Sequence, residues 1–171
     1  MSFVKQQEDT MEITLYHGTD PNIVKDLQNC KVDVSKGGGE FGKGFYLGDS
    51  RRLAKRRAYH KTKGVYGTAN DAMHYFNNTL EVKINVLDLE KFYNEKALDR
   101  QQGRRLFDKL STKPKTTGSY SVSPDYDYIV GPVVGRKGRY FCVTQYKFDS
   151  KRSESVMNKQ CLNVNIKTKV I

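Results

Sequence analysis

Ile13, Leu15 and His17 lie two residues apart in Glu12 to His17, so an extended chain turns all three to one face. His17 then ends that strand on its buried side. Leu80, Val82, Ile84 and Val86 alternate with Glu81, Lys83 and Asn85, the pattern of a half-buried strand. In the last third, Tyr126 to Val130, Arg139 to Phe148 and Gln160 to Thr168 also read as strands. Leu162, Val164 and Ile166 fall on the inner side of the last one, and Gln160 shares their parity.

Helical periods fill the intervals. Asp20 and Pro21 stand as cap and first helical residue before Ile23, Val24 and Leu27, and this helix runs to about Cys30. Ser50 caps a second helix to about Tyr59, whose narrow apolar face is Leu53, Ala54 and Ala58. Asp88 to Leu98 and Gln101 to Leu110 supply two more. Ser35 to Gly44 is a glycine-rich loop that leads into an extended Phe45 to Leu47, while Gly64 to Asp71 and Ser111 to Ser123 read as loops. Strands on both sides of a helical middle predict a mixed α+β domain. At 171 residues without internal repeats, the expectation is a polar leader over residues 1–11 and a single domain over 12–171.

Composition adds a polyanion partner to this picture. The chain has 30 Lys and Arg against 19 Asp and Glu, a formal charge of +11. Such a charge concentrates nucleic acid or a dinucleotide at the surface. Arg51, Arg52, Lys55, Arg56, Arg57, Lys61 and Lys63 fall in a run with no acidic residue between Asp49 and Asp71, which predicts a basic helical face. The bulky core material is 11 Tyr and 8 Phe, with no Trp. Three widely spaced cysteines, Cys30, Cys142 and Cys161, argue against a disulfide framework or a metal site and favour a reducing, cytoplasmic setting. The opening residues lack the pattern of a secretory signal, and no apolar stretch approaches the roughly 20 residues of a membrane helix, so no membrane partner is expected.

Gly37, Gly39 and Gly42 satisfy G-x-G-x-x-G, but context excludes the usual readings. A dinucleotide fingerprint follows a hydrophobic strand and opens a helix, whereas Cys30 to Lys36 is mostly polar and the glycines lead into Phe45-Tyr46-Leu47. A kinase needs a downstream catalytic loop and D-F-G. A P-loop needs Ser or Thr after Lys43, where Gly44 stands.

Two motifs read together are distinctive: Leu15-Tyr16-His17-Gly18-Thr19, then Glu40-Phe41-Gly42-Lys43-Gly44-Phe45-Tyr46-Leu47, followed by a helix. They resemble the ADP-ribosyltransferase superfamily, in particular the histidine-tyrosine branch shared by diphtheria-type toxins and poly(ADP-ribose) polymerases, and small bacterial domains of that branch. The resemblance implies the split β-sandwich of ADP-ribosyltransferases with flanking helices and NAD, as substrate, in the cleft between two small sheets. No metal is required. It also implies roles for residues. His17 would bond a ribose hydroxyl, Gly18 would pair its backbone with the nicotinamide amide and Thr19 would add a polar contact. Tyr46 would stack on the nicotinamide after the tight turn at Gly44.

The third catalytic residue of the branch is usually a glutamate at the start of a late strand, and by position the expectation here is Gln160. A neutral amide orients a ribose but stabilises an oxocarbenium-like transition state less than a carboxylate does. Single transfer is therefore expected over chain building. Glu154, six residues earlier, is the substitute from a loop, set against an ordinary solvated charge. Arg57 stands where the branch often has a second aromatic, suited instead to pyrophosphate or nucleic acid. Asp125 to Pro132 is similar to a segment of the small bacterial domains and reads as structural, its acidic pair holding loop backbone. His60 and His74 read as exposed, with no metal-ligand spacing around them.

The implied function is an NAD-dependent mono-ADP-ribosyltransferase, a toxin or phage-defence effector with a possible antitoxin or inhibitor protein as partner. Arg51, Arg52, Lys55 and Arg56 beside the pocket favour RNA or DNA over protein as acceptor. The alternatives are a catalytically inactive nucleic-acid-binding module of the same fold, a protein-targeting transferase and, last, an RNA 2′-phosphotransferase.

Overall fold

Strand β1 (Glu12–Gly18) pairs antiparallel along its whole length with β5 (Thr79–Asn85), setting Ile13 opposite Ile84, Leu15 opposite Val82 and His17 opposite Leu80. The two-residue period read from the sequence thus becomes one apolar face. The computed structural model describes residues 11–66, 78–112, 126–135 and 142–160. Between β1 and β5 come α1 (Pro21–Gln28), the two-residue strands β2 (Gly38–Gly39) and β3 (Gly42–Lys43), β4 (Phe45–Gly48) and α2 (Arg51–Tyr66). After β5 follow α3 (Val86–Phe92), β6 (Glu95–Ala97), α4 (Arg100–Ser111), β7 (Tyr128–Pro132), β8 (Thr144–Phe148) and α5 (Lys151–Gln160).

The six longer strands form one sheet in the order β5-β1-β4-β8-β7-β6, antiparallel except for the β6–β7 pair. The fold is α+β with a mostly antiparallel sheet. Phe45 and Leu47 of β4 face the same side as Phe148 and Tyr146 of β8, which they oppose in register. Together with Leu15, Val82, Ile84 and Tyr128, and with Val24 and Leu27 of α1, they build the main core. Phe41, Ile129 and Val134 form a second cluster with Tyr46 and with Leu106 and Phe107 of α4.

Local chemistry explains most element ends. The Asp20 carboxylate accepts from the amides of Asn22 and Ile23 at 3.0 and 3.1 Å, the expected cap of α1. Asp99 and Gln102 close a reciprocal capping box on α4. Ser50 accepts from the amide of Leu53 at the start of α2.

Four expectations change. Helix α2 runs to Tyr66 instead of ending near Tyr59, because Thr62 is buried, donates to the carbonyl of Ala58 at 2.7 Å and accepts from the Asn78 amide at 2.8 Å. The helix expected over Asp88 to Leu98 stops at Phe92, and Glu95–Ala97 becomes a strand parallel to β7. Asp127 fixes that turn: its carboxylate accepts from the amide of Asn94 at 3.0 Å, and its own amide donates to the Asn94 carbonyl. This is the backbone-holding role read for the Asp125 to Pro132 segment. Gln160 does not open a strand but ends α5, which starts behind Ser150, whose hydroxyl accepts from the amide of Ser153. The strand expected over residues 161–168 lies outside the described residues, as do His74 and most of the loop expected over Ser111 to Ser123. Finally, Cys30 sits at a left-handed φ of 59° and is disulfide-bonded, against the expectation of unpaired cysteines, while Cys142 is exposed and free. Among the described residues no helix is long and apolar enough to cross a membrane.

Candidate active site

Strands β1 and β4 share a single registered pair, Tyr16 with Gly48, so the sheet is loosely stitched where their ends diverge. His17 spans that divergence. Its Nδ1 lies 2.6 Å from the carbonyl oxygen of Tyr46. A carbonyl only accepts, so the neutral ring carries its proton on Nδ1 and leaves Nε2 as an acceptor. Burial holds the imidazole pKa down to about 4, with the nearby Arg57 and Lys61 pushing the same way and the bond to Tyr46 opposing them. His17 is thus uncharged at neutral pH. Its ring packs on Phe45 at 4.6 Å between centroids.

The residue after it is glycine for a packing reason. A Cβ on Gly18 would stand 1.8 Å from the carbonyl oxygen of Ala54, so only glycine lets β1 pass directly under α2. Thr19 is buried, and its amide donates to the carbonyl of Asn78.

Tyr46 is held at its hydroxyl, which donates to the carbonyl of Gly42 at 2.8 Å and accepts from the amide of Phe41 at 3.0 Å. Burial raises its pKa far above the ordinary phenol value. The β2–β3 ribbon folds back over the ring, and a Cβ on Gly39 would come within 2.7 Å of it. The glycine-rich run therefore serves close approach to Tyr46. Arg57 reaches across from α2 to donate to the Gly38 carbonyl at 2.6 Å, tying the same ribbon to the helix.

Two cavities meet at this point. The smaller, about 150 Å³, runs between α1 and the glycine-rich loop and includes Thr19, Asp26 and Gly44. The larger, about 910 Å³, opens between α2 and the segment after β7 and includes Leu53, Arg56, His60, Val133 and Gln145. His17, Gly18, Tyr46, Arg57 and Lys61 line both. His17, Gly18, Thr19, Gly44, Tyr46 and Arg57 thus all line the smaller cavity.

The basic helix divides its charges. Arg52 and Arg56 are exposed, as is His60, whose ring meets Tyr59 edge-on. Arg51 and Lys55 are half-buried, and one terminal nitrogen of Arg51 is buried without a hydrogen-bond partner. Arg51 therefore belongs more to the body of the protein than to its open surface.

The large cavity also has a glutamine on its wall that the sequence reading passes over. Gln145, second in β8, lies opposite Gly48 of β4 and Gly131 of β7 and lines the large cavity. Its Nε2 donates to Glu40 at 2.9 Å and to the carbonyl of Pro132 at 3.1 Å. Gln160 closes α5, and its side chain lies outside the described residues. Glu154 is on α5 rather than a loop, and it accepts from the amide of Val34 at 2.9 Å and pairs with Lys151, a structural role. Among the described residues no group of three or more His, Cys, Asp or Glu is arranged for a metal.

No curated protein and no solved structure matches the chain. The model of one family, described as "Protein of unknown function (DUF3990)", matches residues 13–167, and with nearly its whole length under that match the chain belongs to this family.

Proposed function

We propose that the protein is an NAD-dependent mono-ADP-ribosyltransferase whose catalytic residues are His17, Tyr46 and Gln145, and that its sheet, joined between β1 and β4 by one registered pair, is a variant of the split β-sandwich of that superfamily. One observation carries the reading. The histidine and tyrosine of the two motifs sit on β1 and β4, strands that part at a cleft, and a glutamine on β8, the next strand over, faces the same cavity.

NAD is the substrate, bound across the two cavities. The bond between nicotinamide and C1′ of its ribose breaks, and nicotinamide leaves with the bonding electrons. An acceptor nucleophile bonds to C1′ and releases its proton to solvent. The uncharged His17 accepts from a ribose hydroxyl through Nε2. Gln145 accepts from the nicotinamide-side ribose, which orients the sugar without adding a full charge. Arg57 and Lys61, at the junction of the cavities, attract the pyrophosphate.

The exposed Arg52 and Arg56 beside the cavity favour a nucleic-acid acceptor, as a self-toxic or phage-defence activity held by an inhibitor protein would use. A catalytically silent nucleic-acid-binding module is the second reading, favoured by an amide where a carboxylate is usual. Pure protein with NAD and total cellular nucleic acid or lysate separates the two. Nicotinamide release that disappears in His17→Ala and Tyr46→Ala supports the enzyme; no release above those variants defeats it. Label from NAD recovered on protein alone would replace the nucleic-acid acceptor with a protein one.

A further inference from the structure

The Gln145 amide meets two groups that can only accept. Glu40 Oε2 lies 2.9 Å and the Pro132 carbonyl 3.1 Å from its nitrogen. The orientation of this amide is therefore fixed by chemistry: the NH2 points inward, and the carbonyl oxygen is the polar atom left for the cavity that Gln145 lines. Glu40 is itself immobilised. Its carboxylate accepts from the backbone amides of Val134 and Gly135, both at 2.6 Å. Three N–H groups on one carboxylate, two of them backbone, make a rigid anchor rather than a mobile surface charge.

We propose, resting on the reading of Gln145 as the late-strand residue, that Glu40 is a positioning residue and that Glu40 and Gln145 are a charge-exchanged pair. The negative charge usual at the late-strand position stands at residue 40, one hydrogen bond from Gln145 on the wall of the same cavity. The amide at 145 transmits its orientation and part of its polarity to the substrate. Glutamine at 145 is then required by this fold. A glutamate there would set a second carboxylate oxygen within hydrogen-bond distance of Glu40 and beside the Pro132 carbonyl, and two carboxylates so placed must share a proton.

The test is the reciprocal exchange. Gln145→Glu alone should behave as a crowded carboxylate pair, stabilised by a shared proton at low pH and losing that stability as pH rises. Its thermal midpoint, relative to the wild-type chain, should fall by roughly 5 °C between pH 5 and pH 8. The double variant Glu40→Gln, Gln145→Glu removes one carboxylate and should lose that pH dependence. In nicotinamide release, Gln145→Glu and Glu40→Gln should each lower kcat by about tenfold or more at pH 8, with KM for NAD changed little, and the double variant should exceed either single one. The Pro132 carbonyl, and the Val134 amide that loses its acceptor at residue 40, keep the recovery incomplete.

A Gln145→Glu variant with an unaltered midpoint at both pH values, or one more active than the wild-type chain at pH 8, overturns the pairing. A merely structural Glu40 would lower stability without rescue by the exchange, and that outcome overturns it too. If the wild-type chain releases no nicotinamide, the transferase reading fails while the thermal comparison still decides the pairing.

Discussion

The ring of His17 stands in for a strand bond: its Nδ1 meets the carbonyl oxygen of Tyr46 at 2.6 Å where β1 and β4 share only the pair Tyr16 and Gly48. One side chain thus both stitches the two halves of the sheet and presents Nε2 at the junction of the cavities. His17→Ala leaves the Tyr46 carbonyl without this partner. A loss of about 1–3 kcal/mol in urea denaturation is expected beside the loss of nicotinamide release.

The same residue sets a pH signature. The His17 pKa falls from 6.5 in the unfolded chain to about 4 in the fold. Between those values the unfolded chain binds more protons, so stability falls as pH drops from 6.5 to 4 and this contribution levels off below. The wild-type curve should show that slope, and the His17→Ala curve should lack it. Nicotinamide release should show no inflection from His17 near pH 6.5.

Gly18 and Gly64 make a contrasted pair. Alanine at 18 drives its Cβ into the backbone of α2, 1.8 Å from the Ala54 carbonyl, and neither element can retreat without opening the core over Leu15 and Ala58. Gly18→Ala should lower stability by about 4 kcal/mol or leave the chain unfolded. A Cβ on Gly64, within α2, meets nothing within 4 Å. Gly64→Ala should raise stability by a few tenths to about 1 kcal/mol, as helix propensity dictates. Equilibrium denaturation of the two variants checks both signs.

Lys147 is fully buried, and its nitrogen meets the carboxylate of Asp149 at 2.7 Å. Desolvation pulls the lysine pKa down against the opposing carboxylate. Asp149→Ala strands a cation in the interior and should lower stability by about 3–5 kcal/mol. Replacing the pair together, Lys147→Met with Asp149→Ala, should be much milder. If the double variant is as unstable as the single one, Asp149 acts through something other than Lys147.

What could be read from the sequence follows the range of the interactions. The cap at Asp20, the alternation of β1 and β5, and the two motifs holding His17 and Tyr46 are set by neighbours within a few residues, and all are found where the pattern puts them. The pairing of β8 with β4 joins residues about a hundred positions apart, and no local period encodes it. The resemblance asks for a residue at the start of a late strand, and Gln160, just before an alternating run, fits that by position better than Gln145 inside Arg139 to Phe148. The Ser150 cap draws residues 151–160 into α5, and the β4–β8 register sets Gln145 opposite Gly48, on the cavity that Tyr46 also lines. Strand β6 was missed for the same reason. Asp127, just before β7, holds the turn at Asn94 after the preceding helix, a contact the Glu95–Ala97 run itself does not encode.

The basic helix offers its own discrimination between binding and folding. Arg52 and Arg56 are exposed, and Arg56 also lines the large cavity, so each can meet a phosphate of a single strand threaded past the site. Each contact to single-stranded nucleic acid releases about 0.7 counterions, so Arg52→Gln and Arg56→Gln should each reduce the slope of log affinity against log salt by about 0.7. Fluorescence anisotropy with a labelled oligonucleotide over a salt series reads this directly. Arg51 is the control on the same helix. With one terminal nitrogen buried and unpartnered, Arg51→Gln should change the denaturation midpoint more than the salt slope. Equal slopes for the wild-type chain and both exposed variants would remove Arg52 and Arg56 from nucleic-acid binding.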